Sequence, residues 1–430
     1  MTLSTPVPDV TTAAGLPDTI AHWTDVFRDL HAHPELSGQE VRTAGILAAE
    51  LRAAGFEVTE NVGGTGVVGV LVNGAGPVVA LRGDMDGLPI EETTSLPWRS
   101  RHMQPGPGGE PVFTMHACGH DMHVTALAAA AEALAATAAE WSGTLIVIGQ
   151  PAEETGSGAR AMLDDGLFLR FPKPDVVLGQ HVGPMPVGVV GHSTGLLMAA
   201  SSTIDVTIHG LGGHGSAPAT TVDPVVIAAY TILRLQTLVS REMTTSDPVV
   251  VTVGVVRAGT KSNIIPESAF FTVNIRARSD ETMATAIDAV RRIVNAESAA
   301  SRTPQPPTIE VREAAPATIN DAELVSRVMD AHTAALPAAT VAIVPPLMGS
   351  EDFSEFGIPG ERYDEPAIPY AFWFWGGVDP ARFGGGEAVS ISGAGVPGNH
   401  SSDFELVDAP TIDVGRSLLV SAARAFLAAS

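Results

Sequence analysis

TLIVIGQPAEE, residues 144–154, joins an apolar run, a glycine and two adjacent carboxylates in one short stretch. An apolar run of this length, closed by Gly or a polar residue and lacking polar alternation, reads as a strand buried on both faces. Outward from it the pattern repeats. VVGVLVNG (67–74), VVALRGD (78–84) and DVVLGQH (175–181) are runs of the same kind, and the helical stretch TALAAAAEALAATAAEW (125–141) lies between VVALRGD and TLIVIGQP. Ile20 to Ala54 reads as helix around a break at HPELSG. This alternation predicts an α/β fold with helices packed on a largely parallel sheet. The chemistry-bearing side chains fall just past strand ends: Asp84 and Asp86, Glu153 and Glu154, and His181. Open α/β sheets place their sites there.

From about Ser201 the pattern changes. TIDVTIHG, PVVVTVGVVRAG and ESAFFTVNIRAR alternate like half-exposed antiparallel strands, with DPVVIAAYTILRLQTLV and ETMATAIDAVRRIVNAE as helices between them and TIEVREA following the proline-rich turn TPQPP. After Asn320 helix-then-strand character returns. The expectation is a larger α/β domain formed by 1–197 and 316–430, interrupted by a smaller α+β unit at 198–315. A chain of 430 residues also exceeds the roughly 250 to 300 at which single cores stop growing.

Forty-eight acidic against 24 basic residues give a formal charge of −24, which argues against nucleic acid or an anionic membrane as partner. MTLSTPVPDVTTAAGLP has no basic segment followed by an apolar one, and the Ala/Leu-rich run is interrupted by Glu132, so neither an export signal nor a membrane span is expected. With one cysteine, the expected compartment is the cytoplasm. That cysteine, Cys118, lies in MHACGHDMH (115–123) and cannot form an internal disulfide. It is either a buried apolar side chain or a working thiolate. Cys118, His120, the pair Glu153 and Glu154, His181 and His400 together make a mixed sulfur, nitrogen and oxygen donor set of the kind that suits two transition metals.

LHAHPELSGQE, RGDMDGLPIEE, MHACGHDMH, GQPAEETGSGARAMLDDGLF, GQHV, GLGGHGSAP, GTKSNIIPE, GSEDFS and NHSSDF follow one another from about residue 20 to 425. In that order they resemble the motifs of the M20 metallopeptidase family, in the amidohydrolase branch that includes hippurate hydrolase, N-acyl-amino-acid amidohydrolases and plant auxin-conjugate hydrolases. The resemblance implies a catalytic domain with an inserted lid or dimerisation domain, hence a homodimer or homotetramer. It implies two divalent ions, zinc foremost and manganese, cobalt or nickel as the others, liganded by Cys118, His120, Glu154, His181 and His400. Cys118 then falls where other branches bridge the ions with a carboxylate. Glu153 falls on the general base, Asp86 on a residue that orients a ligand, and Asp84 on a structural position. His214 matches a donor to the oxyanion, while Asn263 and Arg276 match lid positions that grip a substrate carboxylate.

The activity so implied is cleavage of the amide of a small N-acyl or N-aroyl amino acid. A dipeptidase or carboxypeptidase of the same family is the alternative, and a silent metabolite-binding or scaffold relative is disfavoured by the retained ligands. The sequence departs from the branch at Ala219, where relatives carry a second histidine, in the longer glycine-rich segment 372–400, and in an insertion at 99–113.

Overall fold

The computed structural model describes residues 20–106, 108–357, 366–383 and 395–429, with two short strand pieces at Thr2–Leu3 and Val389–Ser390. Most of the amino-terminal stretch read for an export signal, and the middle of the glycine-rich segment 372–400, lie outside the described residues. The chain divides into two compact units. One comprises Met1–Leu197, Ile319–Pro345 and Asp352–Ser430; the other comprises Met198–Thr318 and Pro346–Glu351, a segment that sequence reading assigned to the larger part.

The first unit is built on a nine-stranded mixed sheet. Its order is Thr340–Ile343, Val189–His192, Tyr370–Val378, Val176–Pro186, Val78–Asp84, Trp141–Gln150, Gly66–Asn73 and Glu57–Val62, with Ala428–Ala429 also beside Trp141–Gln150. The four central strands from Tyr370–Val378 to Trp141–Gln150 are parallel, but Gly66–Asn73 and Glu57–Val62 each run antiparallel to their inner neighbour. For Glu57–Val62 the reason is local: residues 63–65 are too few for anything but a hairpin to Gly66–Asn73. The central strands are buried along nearly their whole length, whereas Glu57–Val62 at the edge is mostly accessible.

His120–Ala136 is the innermost helix. Every residue from His120 to Ala131 is buried, and its alanines let Ile20–Ala32, Val41–Ala53 and Asp408–Phe426 approach it. The insertion at 99–113 forms a small hairpin, Met103–Pro105 with Pro111–Phe113, and Gln104 Oε1 accepts the Leu36 N–H at 2.7 Å. Among the described residues no helix is long and apolar enough to cross a membrane.

The second unit is a four-stranded antiparallel sheet in the order Val249–Ala258, Ser268–Ala277, Ala200–His209, Thr308–Ala315. Burial alternates along Ser268–Ala277, and helices Pro224–Thr237 and Asp280–Ala300 pack on the sheet. Asp223 caps the first helix by accepting the Val225 N–H, and Ser279 caps the second by accepting that of Thr282. Val226, Tyr230 and Leu233 remain exposed on Pro224–Thr237, as do Val250 and Val256 on the edge strand.

A side chain at Gly415 would place its Cβ 3.1 Å from the Ala126 Cβ and from the Trp375 ring. Gly415→Val should therefore wedge the two central helices apart and lower unfolding free energy by about 1 to 3 kcal/mol, read from the urea midpoint.

Candidate metal centre

The parallel strands deliver the acidic residues. Val78–Asp84 ends in Asp84, with Asp86 two residues on, and Trp141–Gln150 leads through Pro151 and Ala152 to Glu153 and Glu154. His181 lies within Val176–Pro186. Cys118 and His120 flank Gly119, which begins the innermost helix at φ 83°, a left-handed conformation in which a Cβ would come within 2.4 Å of Val182 Cγ1. Only glycine lets the chain turn there with both flanking side chains directed inward. His400 is itself left-handed at φ 68°, and its N–H bonds the Ala117 carbonyl at 2.7 Å.

These elements bring the donor atoms together in overlapping groups, each with its atoms within 4.8 Å of one another: Cys118, His120 and His181; Cys118, Glu154 and His400; His120, Glu153 and Glu154; and Asp84, His120 and His123. Cys118 Sγ is 3.4 Å from His181 Nε2, and Glu154 Oε2 is 3.3 Å from His400 Nε2. Cys118 is common to the first two groups. The first is wholly buried, while the His400 side chain in the second is 55% exposed, so that side of the centre meets solvent.

Neighbours hold the rings in defined states. Asp86 Oδ1 pairs with His120 Nδ1 at 3.1 Å, while its Oδ2 accepts from Ser37 Oγ at 2.6 Å and from the Glu154 N–H at 3.0 Å. His181 Nδ1 donates to the Val182 carbonyl at 2.7 Å, which leaves Nε2 as a free electron pair. Asp84 lies between Arg82 and His123, and His123 Nε2 accepts the Val182 N–H.

Burial opposes charge on His120, yet Asp84, Asp86 and Glu154 outweigh it and push its pKa up to about 10. Burial and then Glu154, Glu153 and Asp84 push the Cys118 thiol well above its usual value. Both shifts describe a cavity that attracts positive charge and disfavours a further anion. His120 Nε2 and Glu154 Oε1 are buried with no hydrogen-bond partner. Orphaned donor atoms facing one another in an anionic cavity are what divalent ions satisfy, so the residues fit a metal pair.

Asn399 carries no sequence signal beyond standing next to His400, yet its Nδ2 donates to the carbonyls of Cys118 and Val182 at 3.1 and 3.2 Å. His123 and Ser37 likewise carry no signal in the sequence, because their partners are remote in the chain. In the second unit, His214 pairs with Ile264 across a short ladder, and the Asn263 carbonyl accepts the Gly215 N–H at 2.9 Å, which makes His214 and Asn263 close neighbours. His214 is exposed, and its Nδ1 accepts from the Ser216 backbone N–H at 3.1 Å. Arg276 is half-buried, with Nε donating to Asn274 Oδ1 at 3.1 Å and Nη1 to Ser350 Oγ at 2.6 Å.

Residues 80–378 match peptidase family M20/M25/M40. The chain belongs to that family. Its M20 relatives include a hippurate hydrolase of Campylobacter jejuni, 36% identical over 79% of this chain and 86% of that protein. Another is thermostable carboxypeptidase 2 of Saccharolobus solfataricus, 36% identical over 77% of this chain and 81% of that protein. An IAA-amino acid hydrolase of Arabidopsis thaliana is 32% identical over 95% of this chain and 88% of its own length. Among solved structures, a dinuclear metal-binding M20 peptidase of Bacillus subtilis superposes with a TM-score of 0.71 at 27% identity, covering 95% of this chain and 98% of that one. This M20 chain is thus a member of a hydrolase family, and its fold is that of the family's peptidases.

Gly119→Ala combines a left-handed alanine with a clash against Val182. It should cost at least about 2 kcal/mol in urea unfolding of the M20 chain. An unchanged midpoint would show that the turn between Cys118 and His120 does not need glycine.

Proposed function

We propose that this protein hydrolyses the amide of small N-acyl or N-aroyl amino acids, releasing a carboxylic acid and a free amino acid. The observation that carries the reading is the pair Glu153 and Glu154: adjacent in sequence, both in reach of His120 Nε2 at 3.9 Å, but with only Glu154 in the group that also contains Cys118 and His400. This distribution supports reading Glu154 as a ligand and Glu153 as the proton carrier. Hippurate and IAA-amino acids, which name two of the relatives, are themselves N-acyl amino acids.

The chemistry supplied by two divalent ions, zinc foremost and manganese, cobalt or nickel as the others, held by Cys118, His120, Glu154, His181 and His400, is Lewis acidity and a more acidic water at neutral pH. Glu153 accepts a proton from the attacking water as its oxygen bonds to the acyl carbon, then passes that proton to the amine nitrogen as the carbon–nitrogen bond breaks. Asp86 fixes His120 through Nδ1 so that Nε2 faces the centre. His214 donates to the carbonyl oxygen as negative charge develops there. Arg276, with Asn263, holds the substrate carboxylate, since a protein of formal charge −24 needs a local cation to retain an anionic substrate.

A carboxypeptidase is the second reading, favoured by the similarity to thermostable carboxypeptidase 2. Both reactions release an amino acid with a free carboxylate and differ in what lies on the acyl side. The second unit is read as the lid and dimerisation domain. Exposed Val226, Tyr230 and Leu233 beside the open edge of Val249–Ala258 suit a second copy of the chain, giving a homodimer or homotetramer.

Three measurements test these assignments. Cys118→Ala should lose at least one ion per chain by elemental analysis, and Glu153→Gln should keep both while turnover collapses; full occupancy and activity in the cysteine variant would reject Cys118 as a ligand. His214→Ala should lower kcat by about 2.7 to 4 kcal/mol of barrier with an unchanged melting temperature. In a ninhydrin screen of acetyl, benzoyl and indole-acetyl amino acids against dipeptides, the methyl ester of any accepted substrate should be cleaved far more slowly than the free acid. Equal rates for acid and ester would remove Arg276 as a carboxylate anchor.

A further inference from the structure

Glu40 is fully buried and stands at the start of helix Val41–Ala53, but its side chain does not cap that helix. The capping is done by Glu35, whose carboxylate accepts the N–H groups of Arg42 and Thr43 at 2.9 and 2.8 Å. Glu40 instead reaches across the first unit. Its Oε1 accepts from the Ala152 N–H at 2.8 Å and from the Gly38 N–H at 2.7 Å, and its Oε2 accepts from the Thr65 hydroxyl.

Ala152 is an unusual residue to hold in this way. Its φ of 49° lies in the left-handed region that alanine disfavours, and it immediately precedes Glu153. Its carbonyl also gathers the N–H groups of Ser157 and Gly158 at 3.3 and 3.1 Å and the Thr155 hydroxyl at 3.2 Å. Ala152 is therefore the pivot of the turn that presents Glu153. A backbone conformation that costs free energy persists where its surroundings over-determine it, and the buried acceptor on the Ala152 N–H is Glu40. Glu154 has a separate anchor, since its own N–H is held by Asp86 at 3.0 Å.

We infer that Glu40 is a positioning residue for Glu153: by binding the Ala152 N–H it keeps that residue left-handed and so aims the general base, without setting the ligand Glu154. The inference rests on the reading of Glu153 as the base. Both backbone donors fall on one oxygen of Glu40, and the other oxygen meets a hydroxyl that can reverse its bond. A glutamine can therefore reproduce the arrangement, with its carbonyl toward Ala152 and Gly38 and its amide toward Thr65. Burial pushes the Glu40 carboxyl up, and Asp86 adds to this, so a neutral side chain is no misfit there.

The test uses the full chain with its divalent ions and the best N-acyl amino acid of the screen. Glu40→Ala should lower kcat about 100-fold, the scale of a small misplacement of a reacting group, while KM and ions per chain stay near the wild type. Glu40→Gln should retain turnover. Ala152→Gly, harmless alone, should restore kcat in the Glu40→Ala background by roughly tenfold, because glycine adopts the left-handed conformation without the alanine penalty. In the metal-free protein, amide exchange of residues 152–158 should quicken in Glu40→Ala. Should Glu40→Ala fail to fold, Glu40→Asp, one methylene short of Ala152, takes its place with the same expectations. Wild-type kcat in the Glu40 variant, or a loss that neither glutamine nor Ala152→Gly repairs, overturns the inference. A parallel Glu153→Gln separates the two proposals: if it keeps turnover, the general-base reading falls and takes the positioning role with it; if it is inactive while Glu40→Ala is unimpaired, the positioning role alone falls.

Discussion

Carboxylates gathered in a protein interior repel one another and lose their hydration, and each has to be compensated where it stands. Asp84, Asp86, Glu153 and Glu154 gather at the ends of adjacent strands, and much of the first unit is arranged around that fact. Arg82, 1% exposed, bonds Asp84 at 2.6 Å, Gln150 at 2.7 Å and Asp352 at 3.3 Å. Asp352 in turn takes the Gln150 amide at 2.6 Å and the Ala159 N–H at 3.1 Å, which secures the start of helix Gly158–Asp164. With Arg82 and the two histidines outweighing burial, Asp84 is held ionised far below the usual carboxylate range. Glu153 and Glu154 face His120 on the other side of this cluster.

The loop between the first two helices is the other half of this scaffold. Glu35 caps Val41–Ala53, and its carbonyl receives the Gly87 N–H at 2.7 Å, Ser37 bonds Asp86, and Leu36 is held by the inserted hairpin. A segment far from any strand end thereby fixes the backbone on which the acidic residues stand. Removing one of its carboxylates would strand buried N–H groups, a larger loss than the net worth of the bonds themselves.

Much of this could be read from residue order. Continuous apolar runs revealed the buried strands, and acidic residues at or just beyond two of their ends marked the cavity, whereas His181, expected past a strand end, stands inside its strand. The sense of Gly66–Asn73 was not legible, since a strand covered on both faces has the same composition whether its neighbour runs with it or against it. The parts played by Asn399, His123 and Glu40 were hidden for a different reason. Each acts on backbone or side chains far away in the chain, and no local periodicity records such a bond. Ala152 gave even less warning: nothing about an alanine announces a left-handed backbone. Departures such as Ala219 concern the second unit, where the residue stands in an exposed turn.

Having a single thiol gives the centre a property that its donor set alone does not. Cys118 is the sole cysteine of the chain and is 7% exposed. Alkylation, mercuration or oxidation of the chain's thiol is then a chemical event at one address, and burial with the surrounding carboxylates, which keeps the thiol protonated, slows each of them. Oxidative damage is channelled likewise. With no second cysteine to resolve a sulfenic acid as an internal disulfide, rescue has to come from an external thiol, and further oxidation would be irreversible.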